Sequence, residues 1–172
     1  MTLTLAAFLF LGFPGGQSAM QQTEPNCPGD AAPIPAELTG WQARTPLAAA
    51  TDMAGLAGAT IAPGKAVDLA LRPTPEVRYV LRPERPGGSV SNGGMLRITI
   101  AAAGTYRVGI GSAAWLDMVR DGAALESVGH GRGPACSGIR KMVDFALQPG
   151  DYVLQLVGNG TPTMPVIVTR LP

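Results

Sequence analysis

From Lys65 onward, apolar and polar positions alternate with period two along most of the chain. Val67, Leu69 and Leu71 interleave with Ala66, Asp68 and Ala70; Val77, Tyr79 and Leu81 interleave with Arg78, Val80 and Arg82. The alternation returns at Leu96, Ile98 and Ile100, and again at Tyr106, Val108 and Ile110. It resumes at Val143, Phe145 and Leu147, at Tyr152, Leu154 and Leu156, and at Val166 and Val168. Successive side chains of a strand point to opposite faces, so each run predicts a strand with one buried face. Turn signals separate the runs: "RPTP", "RPERPGG", "SNGG", "AAGT", "RDG", "QPGD" and "NGTP". Eight or nine short strands, spaced by about ten residues, predict an all-β fold: an antiparallel β-sandwich of jelly-roll or Ig-like type.

Two local patterns sharpen this expectation. "WLDMVRDGAALESV" predicts a hairpin, with Asp121-Gly122 in a type I′ turn whose two central residues both need positive φ. "LRITIAAAGTYRVGIG" and "VDFALQPGDYVLQLVG" share one scheme: strand, turn with Gly, polar residue, Tyr, strand. A Tyr placed there can bury its ring and hydrogen-bond the turn through its hydroxyl.

Ahead of the alternating region the pattern is different. Residues 20–64 predict an irregular segment packed on a sandwich domain that spans residues 65–172. Within that segment "PAELTGW" allows one helical turn, with Trp41 anchoring it to the sandwich. "TPLAAATDMAGLAGA" has the makings of a short helix, weakened by Gly55 and Gly58. Residues 1–19 read as a signal peptide. An apolar run from Leu3 to Phe13, too short to span a bilayer, is broken by Pro14-Gly15-Gly16 and followed by small residues suited to cleavage after Ser18 or Ala19. No Lys or Arg precedes the run, and the same residues would also suit a buried strand or an uncleaved anchor. Export implies a periplasmic or secreted protein with no membrane span after cleavage.

Composition narrows the functional classes. The 172 residues suit one domain. A formal net charge of +1 offers no basic excess to attract nucleic acid. The 23 glycines and 16 prolines fall between apolar runs, where they punctuate turns. Two cysteines in an oxidising compartment pair with each other, so a Cys27–Cys136 disulfide is expected. In the chain-entropy account, closing so long a loop contributes about 4–5 kcal/mol.

The candidate chemistry concentrates in "GHGRGPACSGIRK", residues 129–141, which holds the one histidine of the chain and one cysteine. His130, between two glycines, is expected on a loop. With Cys136 in a disulfide it lacks the donors that a zinc or iron site needs, so neither a metal nor another cofactor is expected. Copper held by His130 and thioethers is disfavoured because Met53, Met95, Met118, Met142 and Met164 are dispersed and suit core filling. A hydrolase would need His130 as base, Ser127 or Ser137 as nucleophile, and Asp117, Asp121 or Asp144 as orienter. No "G-x-S-x-G" is present, and Asp117 and Glu126 belong to a hairpin whose outer face should be polar anyway. No catalytic residues are therefore expected. His130, Arg132, Arg140 and Lys141 form a local concentration of positive charge able to receive a carboxylate, a sulfate or an acidic partner strand. Trp115, at a strand start, is expected in the core.

In outline Gly104–Leu171 resembles the pre-peptidase C-terminal type of β-sandwich module found on secreted bacterial proteases. The shared scheme is carried by "GTYRV", "LDMVRDG" and "LQPGDYVLQL". Over nearly the whole mature chain, "CPG…PAELTGW…PLAAA", "GTYRVGIGSAAWLDMVRDG", "GHGRGPACSGIRKMVDF" and "LQPGDYVLQLVGN" resemble a family of short exported alphaproteobacterial proteins. That resemblance implies export and a sandwich but no activity, although members sometimes carry the label homogentisate 1,2-dioxygenase. Such an enzyme holds ferrous iron with two His and one carboxylate, and this chain has one His. The resulting expectation is a non-catalytic binding or accessory module for a protein or envelope component, acting through His130, Arg132, Arg140 and Lys141. The alternative is a metal-binding protein or enzyme centred on His130.

Overall fold

In the computed structural model, Cys27 and residues 33–172 are described. The leader expected at residues 1–19 lies outside them. Among the described residues the period-two runs become two sheets packed face to face, built from eleven strands. In chain order these are β1 (Arg44–Ala48), β2 (Ala66–Ala70), β3 (Arg72–Pro73), β4 (Asn92–Ile100), β5 (Gly104–Ile110) and β6 (Trp115–Arg120). They continue with β7 (Ala123–Ala124), β8 (Gly129–Gly131), β9 (Lys141–Leu147), β10 (Gly150–Asn159) and β11 (Thr163–Arg170). One sheet runs β1-β2-β11-β5-β9-β8 and the other β3-β4-β10-β6-β7. Every named strand pair is antiparallel except β1 with β2. The protein is an all-β sandwich. It has more strands than the eight or nine expected because β3, β7 and β8 span only two or three residues each.

The alternating apolar positions meet between the sheets. Leu96, Ile98, Leu154 and Leu156 from one sheet, with Val108, Val166 and Val168 from the other, are wholly buried in one core. Each such side chain contributes about 1.5–3 kcal/mol when removed from water. Both tyrosine expectations hold. Tyr106 donates its hydroxyl to Ala102 O at 2.8 Å, and Tyr152 donates to Gln148 O at 2.8 Å while accepting from Gln148 N at 3.0 Å. The hairpin holds as well. Asp121 and Gly122 have φ of 51° and 77°, and Arg120 pairs with Ala123 across the turn.

Three segments depart from the sequence expectation. Residues 44–48 form β1 beside β2 instead of the start of a helix. Pro46 is tolerated there because an edge strand leaves one side unpaired, and Arg44 bonds Asp68 on β2 at 2.8 Å. A 3₁₀ helix follows only at Ala54–Gly58. The segment expected to be irregular therefore contributes a strand and two 3₁₀ helices. The first of these helices, Ala36–Gln42, is longer than the single turn expected. It lies on the outer face of the six-stranded sheet, where Leu38 and Trp41 pack with Ala66, Ile139 and Ile167. This is the anchoring expected of Trp41.

The third departure concerns Val77, Tyr79 and Leu81, which form no strand. Pro75, Pro83 and Pro86 remove ladder donors, and residues 77–85 instead cross the outer face of the five-stranded sheet as a strap. Two side chains fasten it. Tyr79 donates its hydroxyl to Leu156 O at 3.0 Å. The fully buried Gln155 exchanges two bonds with the main chain of Leu81, each 3.0 Å, much as a neighbouring strand would. The strap carries Glu84 and Arg85 to the edge of the sandwich.

Candidate functional site

Strand β7 ends one sheet and β8 ends the other, and both line a cleft of about 780 Å³ between those edges. Its floor is apolar. Val143 and Phe145 come from β9 and Leu116 from β6, and all three are buried. Leu125, just beyond β7, is half-buried.

Charged groups surround this floor from both sides. His130, Arg132, Arg140 and Lys141 all line the cleft from the β8–β9 side. Glu84, Asp117 and Glu126 line it from the strap and the β6–β7 side. The fold therefore brings the four basic residues singled out in the sequence to one cleft with three carboxylates, and Lys141 reaches across to the Asp117 side.

Local structure explains how the basic residues are placed. His130 is not on a free loop: it pairs with Val143 in the edge strand β8, with Gly129 against Asp144. The pairing puts the imidazole on the same face as Val143, toward the cleft. Gly129 eases this approach, since a Cβ there would lie 3.3 Å from the Asp144 carboxylate, a tight contact. Arg132 and Arg140 stand at the two ends of the loop that the Cys27–Cys136 disulfide pins. Within that loop Cys136 has φ 60°, and Ser137 Oγ donates to Pro134 O at 2.7 Å and accepts from Ile139 N at 3.1 Å. Trp41 Nε1 donates to Ser137 O at 2.8 Å, which ties the loop to the N-terminal helix.

Lys141 begins β9 on the core-facing side and reaches across the end of the sandwich. Its Nζ donates to Ala114 O at 3.2 Å and stands 5.5 Å from the centre of the Trp115 ring. Burial pushes its pKa below the ordinary lysine value, while the nearby Asp117 charge opposes that shift. Trp115 is half-buried at the cleft and not in the core as expected. A strand start at the end of a sheet leaves the ring uncovered on one side, and Arg85 stacks over it at 5.3 Å. The indole N–H donates to Asp117 Oδ1 at 2.9 Å. Asp117 Oδ2 is buried and has no hydrogen-bond partner. Burial raises the pKa of this carboxyl above the ordinary aspartate value. Glu84 adds to the shift, and the Trp115 bond, the Gln155 side chain and the Lys141 charge counter it.

The residues weighed for hydrolysis are mostly committed elsewhere. Ser137 holds its own turn. Asp144 makes a two-pronged pair with Arg107 at 2.8 Å for each bond, and Asp121 lies at the exposed hairpin tip beside Arg120. Among the described residues, no three His, Cys, Asp or Glu side chains gather as a metal-binding group. Met95, Met118 and Met164 are wholly buried in the core, and Met53 is exposed. The sequence reading weighs Asp117 and Glu126 but sets them aside as the polar face of a hairpin, and it misses Glu84. Glu84 sat in an apparent turn and Asp117 in an ordinary polar position of a hairpin, and only the strap and the sheet edge bring them together. A comparison with models of known protein families and with curated proteins finds no match to the chain.

Proposed function

We propose that this chain is an exported, non-catalytic binding module that takes a protein or envelope component in the cleft between β7 and β8. The observation that carries this reading is the gathering of basic residues and carboxylates around one apolar floor. Ligand sites are commonly concave, apolar and fitted with a few polar groups that fix orientation, and this cleft has that composition. The disulfide supports a periplasmic or secreted location, since such bonds persist in oxidising compartments. Among the described residues no helix is long and apolar enough to cross a membrane.

The test places a photo-cross-linking residue at Gly131, in the cleft, or at Thr99, exposed on the outer face of the other sheet. Irradiation in envelope extracts should give a discrete adduct from position 131 only, and Arg132→Glu with Arg140→Glu should abolish it. Equal labelling from both positions, or none from the cleft, would overturn the reading.

A further inference from the structure

Lysine occurs at two positions of the chain, Lys65 in the exposed turn before β2 and Lys141 in the cleft. We propose that Lys141 captures a small apolar aldehyde covalently, as an imine on Nζ, with the apolar body of the aldehyde against Val143. Such a capture site goes beyond the binding reading above and stands or falls separately from it.

Three features point to that chemistry. The first is placement. Lys141, Val143 and Phe145 alternate along β9, so their side chains leave the strand on one face. Neighbours on one face of a strand stand about 7 Å apart. An apolar group beside the lysine stem therefore meets Val143 first, with Phe145 and Leu116 farther along the same floor. The cleft, about 780 Å³, falls within the range of small-ligand sites, about 300–1,000 Å³. The amine is also held in place. Nζ donates to Ala114 O at 3.2 Å and stands 5.5 Å from the centre of the Trp115 ring. One N–H serves that bond, so the neutral amine keeps its anchor and has a lone pair for a carbonyl carbon.

The second feature is the state of the amine. Burial favours its neutral form, which is the nucleophile. The Asp117 charge opposes this, and the other charged groups lining the cleft are Glu84, Glu126, His130, Arg132 and Arg140. The third feature is the product. The ammonium group releases a proton to solvent, and Nζ adds to the aldehyde carbon. The resulting carbinolamine takes up a proton and expels its oxygen as water. Ammonium and aldehyde thus become a protonated imine and one water, and the positive charge stays on Nζ. There it faces the Trp115 ring and the Asp117 charge, both of which favour a cation. An acyl donor would leave a neutral amide and forfeit both interactions.

Reductive trapping on the full, disulfide-intact chain at neutral pH tests the proposal, with benzaldehyde or formaldehyde as the probe and cyanoborohydride to fix the imine. Peptide mapping by mass spectrometry then compares Lys141 with Lys65. Benzaldehyde should label Lys141 about tenfold faster or more, an advantage that burial of one aromatic ring supplies. Formaldehyde has no apolar body and should show a smaller preference. In guanidinium chloride the two lysines should react alike. Val143→Thr keeps the branched shape and should lower the benzaldehyde preference toward the formaldehyde value. If that variant does not fold, the comparison of the two aldehydes on the parent chain decides the same point. Equal labelling of the two lysines in the folded protein, or a preference that survives denaturation, would overturn capture in the cleft. A preference as large for formaldehyde as for benzaldehyde would overturn the apolar ligand class. If trapping fails while cross-linking from position 131 succeeds, the capture site falls and the binding reading stands.

Discussion

Asp117 shows how burying one carboxyl ties stability to pH. Its ordinary pKa is 3.8 and burial raises it in the folded protein, so across that interval the native state holds more protons than the unfolded chain. Stability contributed by the neutral form is therefore lost as pH rises through the folded pKa. Asp117→Asn cannot titrate, so its stability relative to the parent should increase between pH 4 and neutrality in urea melts. A pH-independent difference would mean that the carboxyl is solvated. The tyrosines give a second expectation at this scale. Tyr152 shares its hydroxyl with both main-chain groups of Gln148 and with Arg120 at 2.8 Å, whereas Tyr106 makes one bond. Tyr106→Phe should cost about 0.5–1.5 kcal/mol, and Tyr152→Phe about 1–3 kcal/mol because it leaves more groups unpaired. Denaturant melts of the two variants would check the order. This role was legible in the sequence, since a Tyr just after a Gly turn needs only local geometry to reach it.

At the scale of elements, the strap over residues 77–85 decides where Glu84 stands. Gln155 holds it by substituting for a strand, so Gln155→Ala should cost about 1–3 kcal/mol. It should also speed hydrogen exchange at the Leu81 amide while the central amides of β10 stay protected. Unchanged exchange at Leu81 would mean that Tyr79 alone suffices to hold the strap. The alternation of Val77, Tyr79 and Leu81 resembles a strand because period two records only which side chains are buried on one face. It does not record whether a neighbouring backbone supplies the hydrogen bonds, and here a side chain supplies them. The Asp121-Gly122 hairpin was readable for the opposite reason: its turn geometry is set by two adjacent residues with positive φ.

For the whole molecule, the Cys27–Cys136 bond spans a sequence separation of 109 and restrains the loop that presents Arg132 and Arg140. Cys136→Ser should cost about 2–5 kcal/mol, the usual loss when a native disulfide is removed from a small domain. His130→Ala, at an exposed edge position, should change stability by less than about 0.5 kcal/mol. Non-reducing urea melts of both variants would test the asymmetry, and equal losses would assign His130 a structural partner. The sandwich class, the hairpin, the two tyrosine turns and the disulfide all follow from the sequence by itself. Each depends on short-range periodicity, on adjacent backbone dihedrals, or on there being only two cysteines to pair. The parallel edge strand β1, the strap and the gathering of charge around the cleft were decided by tertiary structure alone. They depend on which strand ends each sheet and on contacts such as Gln155 with Leu81, between residues 74 positions apart. No local pattern encodes a juxtaposition of that kind, because its free energy exists only once the two sheets have packed.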